Sequence, residues 1–156
     1  MPFGSGVVFC AAVSMEEMPY CLAMMLCDQV YREPTTKKVS ILGAFDSLFL
    51  KGPGSTPFCV FFALTDGHGE IKINVKIRHC KSDFSDDQDN EIATPRDGIS
   101  LNFVDPLQVF EGVFVVQSTF SKAGVYFCEL YAGSNRIMFR RLTVNMESGE
   151  REQNGN

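Results

Sequence analysis

The sequence predicts an all-β protein, an antiparallel two-sheet sandwich of immunoglobulin-like type with about 8–9 strands in one domain. Three observations point there. In "IKINVKIRH", Ile71, Ile73, Val75 and Ile77 alternate with Lys72, Asn74, Lys76 and Arg78, the period of a half-buried strand. Turn-forming clusters recur at intervals of roughly 8–15 residues between such runs. Finally, "KAGVYFCEL" sets Gly124, Tyr126 and Cys128 in the order that opens strand F of an immunoglobulin domain.

The elements follow in chain order. Residues 1–17 read as a flexible N-terminal extension, or as a stretch preceding the true start at Met18. The folded domain is expected over 18–146, and the polar tail 147–156 has no large apolar residue after Met146. Segment 20–27 is apolar on every face, so a helix opened by Pro19 and a strand covered on both faces both fit. The β character of the rest favours the strand. "KKVSILGAFDSLFL" (37–50) reads as one strand with Gly43 as a bulge, ended by the Gly/Pro-rich loop that starts at Lys51. The runs 57–66 and 70–80, joined by Asp66-Gly67-His68-Gly69, read as a hairpin. Strands at 99–103, 107–117, 124–132 and 136–145 complete the set, with a tight hairpin between the last two.

Composition narrows the function classes. A chain of 156 residues buries roughly two-thirds of its unfolded surface and needs no metal or disulfide to fold. Fourteen phenylalanines and no tryptophan leave the core to Phe and β-branched residues. A net charge of −5 argues against a generic nucleic-acid binder. No apolar run approaches the ~20 residues of a membrane helix. The six cysteines, at 10, 21, 27, 59, 80 and 128, contain no pair with the spacing of zinc ribbons or redox motifs. The N-terminus lacks the basic residues that precede a signal peptide's apolar run. Reduced thiols in a cytoplasmic protein are therefore expected, with Cys128 a core thiol.

Catalytic signatures are missing. The glycine-rich pieces fit no phosphate-binding loop, and no G-x-S-x-G occurs. His79 and Cys80 are adjacent and would point to opposite faces of a strand, so they form no nucleophile–base pair. His79 reads as a strand-end histidine and His68 as a turn residue. No catalytic residue and no cofactor is assigned. The acidic stretch 83–91 places Asp87, Asp89 and Glu91 at alternate positions, as a hard cation such as calcium recruits them. It lacks the glycine of the calcium-loop order, so a solvated loop is the simpler reading. Lys72, Lys76 and Arg78 share one strand face, and Arg136, Arg140 and Arg141 lie on the last hairpin. An anionic partner would fit if those strands were neighbours. Tyr126 is expected to hydrogen-bond back to the chain at the corner before its strand, with Gly124 in that corner.

One resemblance rests on particular residues. "PYCLAMMLCDQV" followed by "KKVSILGAFDSLF" is similar to a family of small uncharacterised bacterial proteins, in which a strand ending in Cys-Asp precedes a Lys-x-Ser-x-x-Gly-x-[Phe/Tyr] strand. Cys27, Asp28, Lys38, Ser40, Gly43 and Phe45 match, as do the segment 124–126 and the closing Arg-Leu-Thr-Val at 141–144. The likeness covers about 18–145. It implies a β-sandwich and a bacterial, cytoplasmic setting. The family has no established activity, so no functional residue carries over.

The expected function is therefore a non-enzymatic β-sandwich acting through protein–protein contact, with the loops 51–57 and 81–91 as contact candidates. A small-molecule or calcium-type binding domain, or an enzyme, using His68, His79 and the acidic loop 83–91, is the alternative. Self-association through edge strands is a further expectation.

Overall fold

The computed structural model describes residues 18–80, 91–93 and 97–147. These form ten strands: β1 (Tyr20–Arg32), β2 (Val39–Ala44), β3 (Ser47–Leu50), β4 (Gly54–Thr65), β5 (Gly69–His79), β6 (Glu91–Ala93), β7 (Ile99–Phe103), β8 (Phe110–Phe120), β9 (Gly124–Ala132) and β10 (Asn135–Met146). The first sheet has the order β2-β1-β4-β8 and is antiparallel throughout. The second runs β3-β10-β9-β5, and β6 and β7 divide the remaining edge of β5 between them.

Period-2 patterning explains the core. In β5, Ile73, Val75 and Ile77 are fully buried, while every second residue turns away. From β9 and β10 come Tyr126, Cys128, Leu130, Leu142 and Val144. They meet Met24, Leu26, Phe58, Val60, Phe62 and Phe114 of the first sheet, so the two sheets enclose one continuous core. Segment 20–27 lies in a 13-residue strand, β1. Packing of Met24 and Leu26 against the second sheet overrides the helical propensity of its Leu, Ala and Met residues.

Three expectations are corrected. The run 37–50 is two strands in different sheets, because the chain crosses over at Phe45-Asp46. The crossover is pinned on both sides: Phe45 N donates to the Leu26 carbonyl, and the Asp46 carbonyl accepts from Thr143 N. As a result β3 runs parallel to β10, from Ser47 opposite Thr143 to Leu50 opposite Met146, so the second sheet is mixed. A strand's side-chain period carries no information on its neighbour's direction.

The runs at 57–66 and 70–80 do not form a hairpin. β4 pairs with β1 and β8, whereas β5 pairs with β9 in the other sheet. Asp66 and Gly69 both take positive φ, 58° and 67°, and the turn they build passes from one sheet to the other. Turn chemistry marks a reversal of the chain without stating which sheet receives it. The third correction concerns Gly43. The β1–β2 register is the same on both sides of it, Cys27 opposite Ala44 and Gln29 opposite Leu42, so no bulge is inserted. Gly43 is needed because its φ is +64° and a Cβ there would fall 2.2 Å from Asp28 Oδ2.

Candidate functional site

The outer face of the second sheet gathers most of the basic residues that the sequence set apart on two strands. β5 and β10 are not neighbours; β9 lies between them. The registers therefore produce three rows. Asn74, Tyr131 and Arg136 form one, Lys76, Glu129 and Phe139 the next, and Arg78, Phe127 and Arg141 the third. Arg140, one residue out of phase, leaves this face: its Nε donates to the Met24 carbonyl at 2.8 Å.

Glu129 is the centre of the face. It faces away from the core yet is only 1% exposed, because the long side chains around it close over its carboxylate. Oε1 accepts from Arg78 at 2.8 Å and from Arg136 at 2.7 Å, and Oε2 accepts from the Tyr131 hydroxyl at 2.9 Å. Burial alone would push this carboxyl up. The hydrogen bonds from Arg78, Arg136 and Tyr131, with the Arg78 charge, outweigh that and hold it below the ordinary carboxylate range. Burial, together with the hydrogen bond to Glu129, raises the Tyr131 hydroxyl.

Aromatic rings complete the lattice. The Lys76 ammonium lies 5.3 Å from the centre of the Tyr131 ring, and the Arg136 guanidinium 5.3 Å from that of Phe139. Phe139 meets Phe127 edge-on at 5.5 Å, and Phe139 is 49% exposed. The arginines are thus fixed in orientation before any partner arrives. Alternate Lys and Arg on two strands, with a lone acid and aromatics on a third, was the signal available in the sequence. Glu129 was missed because nothing local shows that its strand runs between the basic ones.

The other sequence-predicted residues lie elsewhere. Tyr126 is buried in the core, between Phe120 and His79, with ring centres 5.0 and 4.7 Å away. Gly124 sits beside it with φ +142°, and a Cβ there would lie 3.1 Å from His79 Nε2. Cys128 is fully buried, and burial followed by the nearby Glu129 charge pushes its thiol up to about 12. His68 is an exposed turn residue. Asp87 and Asp89 lie outside the described residues, as do the extension 1–17, the loop 81–90 and the tail after Glu147; Glu91 begins β6 opposite Arg78. Among the described residues no three His, Cys, Asp or Glu side chains stand close enough to share a metal ion. No described helix is long and apolar enough to cross a membrane. Loop 51–57 is mostly strand, since β4 begins at Gly54. A separate groove of about 440 Å³ opens where the crossover passes β1 and β10, lined in part by Met25, Phe45, Asp46, Arg140 and Arg141.

Comparison with known proteins gives a family and little more. Residues 22–145 match the model of a family described as "Family of unknown function (DUF6941)". No curated protein matches the chain. Among solved structures, the β-glucosidase from Listeria innocua in complex with isofagomine aligns over 81% of this chain with 12% identity and a TM-score of 0.40. The same enzyme with glucose aligns at 13% identity and 0.40, and without ligand at 12% and 0.39. The aligned region is 16% of each enzyme's length. So low a TM-score carries nothing about activity or ligand.

Proposed function

We propose, for a chain that belongs to this family of unknown function, a non-enzymatic protein-interaction module that binds through the outer face of its second sheet. The carrying observation is Glu129: a carboxylate 1% exposed that accepts from two arginines and a tyrosine. Both carboxylate oxygens are engaged as acceptors and the group is held ionised, so it has no proton to give and no open side for a substrate. That arrangement suits a scaffold that pre-orients Arg78, Arg136 and Tyr131 rather than an acid–base catalyst. Arginine and aromatic side chains are also the types that dominate binding energy at protein interfaces. Among the described residues of β5, β9 and β10, Lys72, Lys76, Arg78, Arg136 and Arg141 outnumber Glu70 and Glu129 on this face, so the partner presents an acidic surface. An immunoglobulin-like assignment is part of the proposal. It is supported by the β3-β10-β9-β5 order against β1-β4-β8 and by the corner tyrosine at the start of β9. A cytoplasmic setting remains the reading of the thiol usage.

The test pairs Lys76→Glu and Arg141→Glu, both outside the Glu129 hydrogen bonds, in one variant. Quantitative capture from cell extract should recover a partner with the native protein, lose it in the variant and weaken steeply with salt. Recovery equal in both proteins, at matched melting temperature, would sink the reading.

The groove at Arg140 and Arg141 supports a second reading, a small-molecule site, since about 440 Å³ is within the range of ligand pockets. Binding abolished by Arg140→Ala and untouched by Lys76→Glu alone, which lies on the sheet face away from the groove, would favour it.

A further inference from the structure

The outer face of the first sheet, opposite the interaction surface, carries two thiols in register. Cys27 on β1 stands directly across from Cys59 on β4. Opposed residues of an antiparallel pair share a face, with Cα atoms about 4.5 or 5.5 Å apart. Both spacings lie inside the roughly 4.4–6.8 Å that a disulfide spans. Each sulfur already leans across the ladder: Cys27 Sγ lies 3.8 Å from the Cys59 carbonyl oxygen, and Cys59 Sγ lies 3.7 Å from that of Asp28. The row continues with Ala44 on β2 and Val115 on β8, neither of them charged. The two thiols are not equivalent. Cys27 is fully buried and Cys59 half-buried, beside a Val115 that is 72% exposed. Burial, then the neighbouring Cys59 and Asp28, raise the Cys27 thiol above its ordinary value.

We propose that Cys27 and Cys59 form a dithiol–disulfide couple oxidised by small-molecule disulfides of the glutathione type, with Cys59 as the entry thiol and Cys27 as the resolving thiol. Cys59 loses its proton to solvent, and its thiolate attacks one sulfur of the oxidant. A protein–small-molecule S–S bond forms, and one thiolate leaves. Cys27 then gives up its proton and attacks Cys59 Sγ, expelling the second small thiolate. The leaving thiolates take up two protons. The oxidant is thus reduced to two thiols while the protein loses two hydrogens. The product ties β1 to β4 on the outside of the first sheet and closes the loop that contains β2 and β3. Cys128, fully buried with its thiol pushed up to about 12, stays out of the exchange.

Oxidised glutathione, added to the full chain at pH 8, is the probe, and peptide mapping under non-reducing conditions is the readout. The expected result is an intact mass lower by two hydrogens and a linked pair of peptides containing Cys27 and Cys59, reversed by dithiothreitol. Cys27→Ser should stop at a stable glutathione adduct on Cys59, and Cys59→Ser should give neither adduct nor link at position 27. A wild-type protein that keeps glutathione on Cys59, pairs either residue with a different cysteine, or leaves both alkylatable overturns the proposal.

Discussion

The Tyr126 hydroxyl donates a 2.7 Å hydrogen bond to the carbonyl of Lys122, four residues upstream, and so fastens the start of β9 to the turn that precedes it. The ring is 2% exposed, so the hydroxyl has exchanged water for this one partner. Its own proton is harder to remove, mainly because of burial. Tyr126→Phe should therefore destabilise the protein by about 1 kcal/mol or more, since it removes a hydrogen bond made by a buried hydroxyl. Denaturant melts should show a lower midpoint with an unchanged slope. An unchanged midpoint would show that the bond carries no net stability.

Glu129 predicts a pH dependence whose sign follows from its depressed pKa. A carboxyl with a lower pKa folded than unfolded contributes its full stability above the unfolded value, about 4.3 for glutamate. The contribution is lost as pH falls through the folded value. Glu129→Gln should cost about 2 kcal/mol near neutrality, because Arg78 and Arg136 are 21% and 48% exposed and can partly rehydrate. The gap between the native protein and the variant should narrow as the pH drops from 5 toward 3. A gap that stays constant over that interval would mean that the carboxylate charge is not what the arginines hold.

The face around Glu129 also shows what the sequence can and cannot display. The alternation in "IKINVKIRH" displayed the two faces of β5, because a side-chain period of two is local. Tyr126, Gly124 and Cys128 were legible for the same reason: a corner and the strand after it occupy a few consecutive residues. Sheet partners are set by residues far apart. Nothing near Asp66 or Gly69 states that β4 and β5 part company, and nothing near Phe45 states that β3 joins β10 in parallel. The thiol pair was hidden in the same way. Cys27 and Cys59 are 32 positions apart, and only the β1–β4 register makes them neighbours.

Ser118 predicts a stabilising substitution. On the inward face of β8 it is fully buried, and its hydroxyl has no hydrogen-bond partner among the described residues. A buried hydroxyl stripped of water and left unpaired costs on the order of 1–3 kcal/mol. Ser118→Ala removes that cost and vacates little volume, so stability should rise by about 1 kcal/mol. Calorimetry at neutral pH reads it as a higher melting temperature; a fall would mean the hydroxyl is satisfied in solution.

Gly112 predicts the reverse. It lies opposite Phe62 in the β4–β8 ladder, and the Phe62 ring lies over the space where a side chain would begin. A Cβ at 112 would fall 2.3 Å from Phe62 Cζ and 2.7 Å from Cε1. Phe62 cannot yield easily, since it is fully buried and packs on Phe114 with ring centres 5.5 Å apart. Gly112→Ala should therefore destabilise by roughly 1–3 kcal/mol through overpacking, despite alanine's lower cost in chain entropy. Combining it with Phe62→Leu should recover part of the loss relative to the sum of the single changes, because the shorter side chain frees the contested space. Strict additivity of the two in a double-mutant cycle would show that the ring and the glycine do not compete.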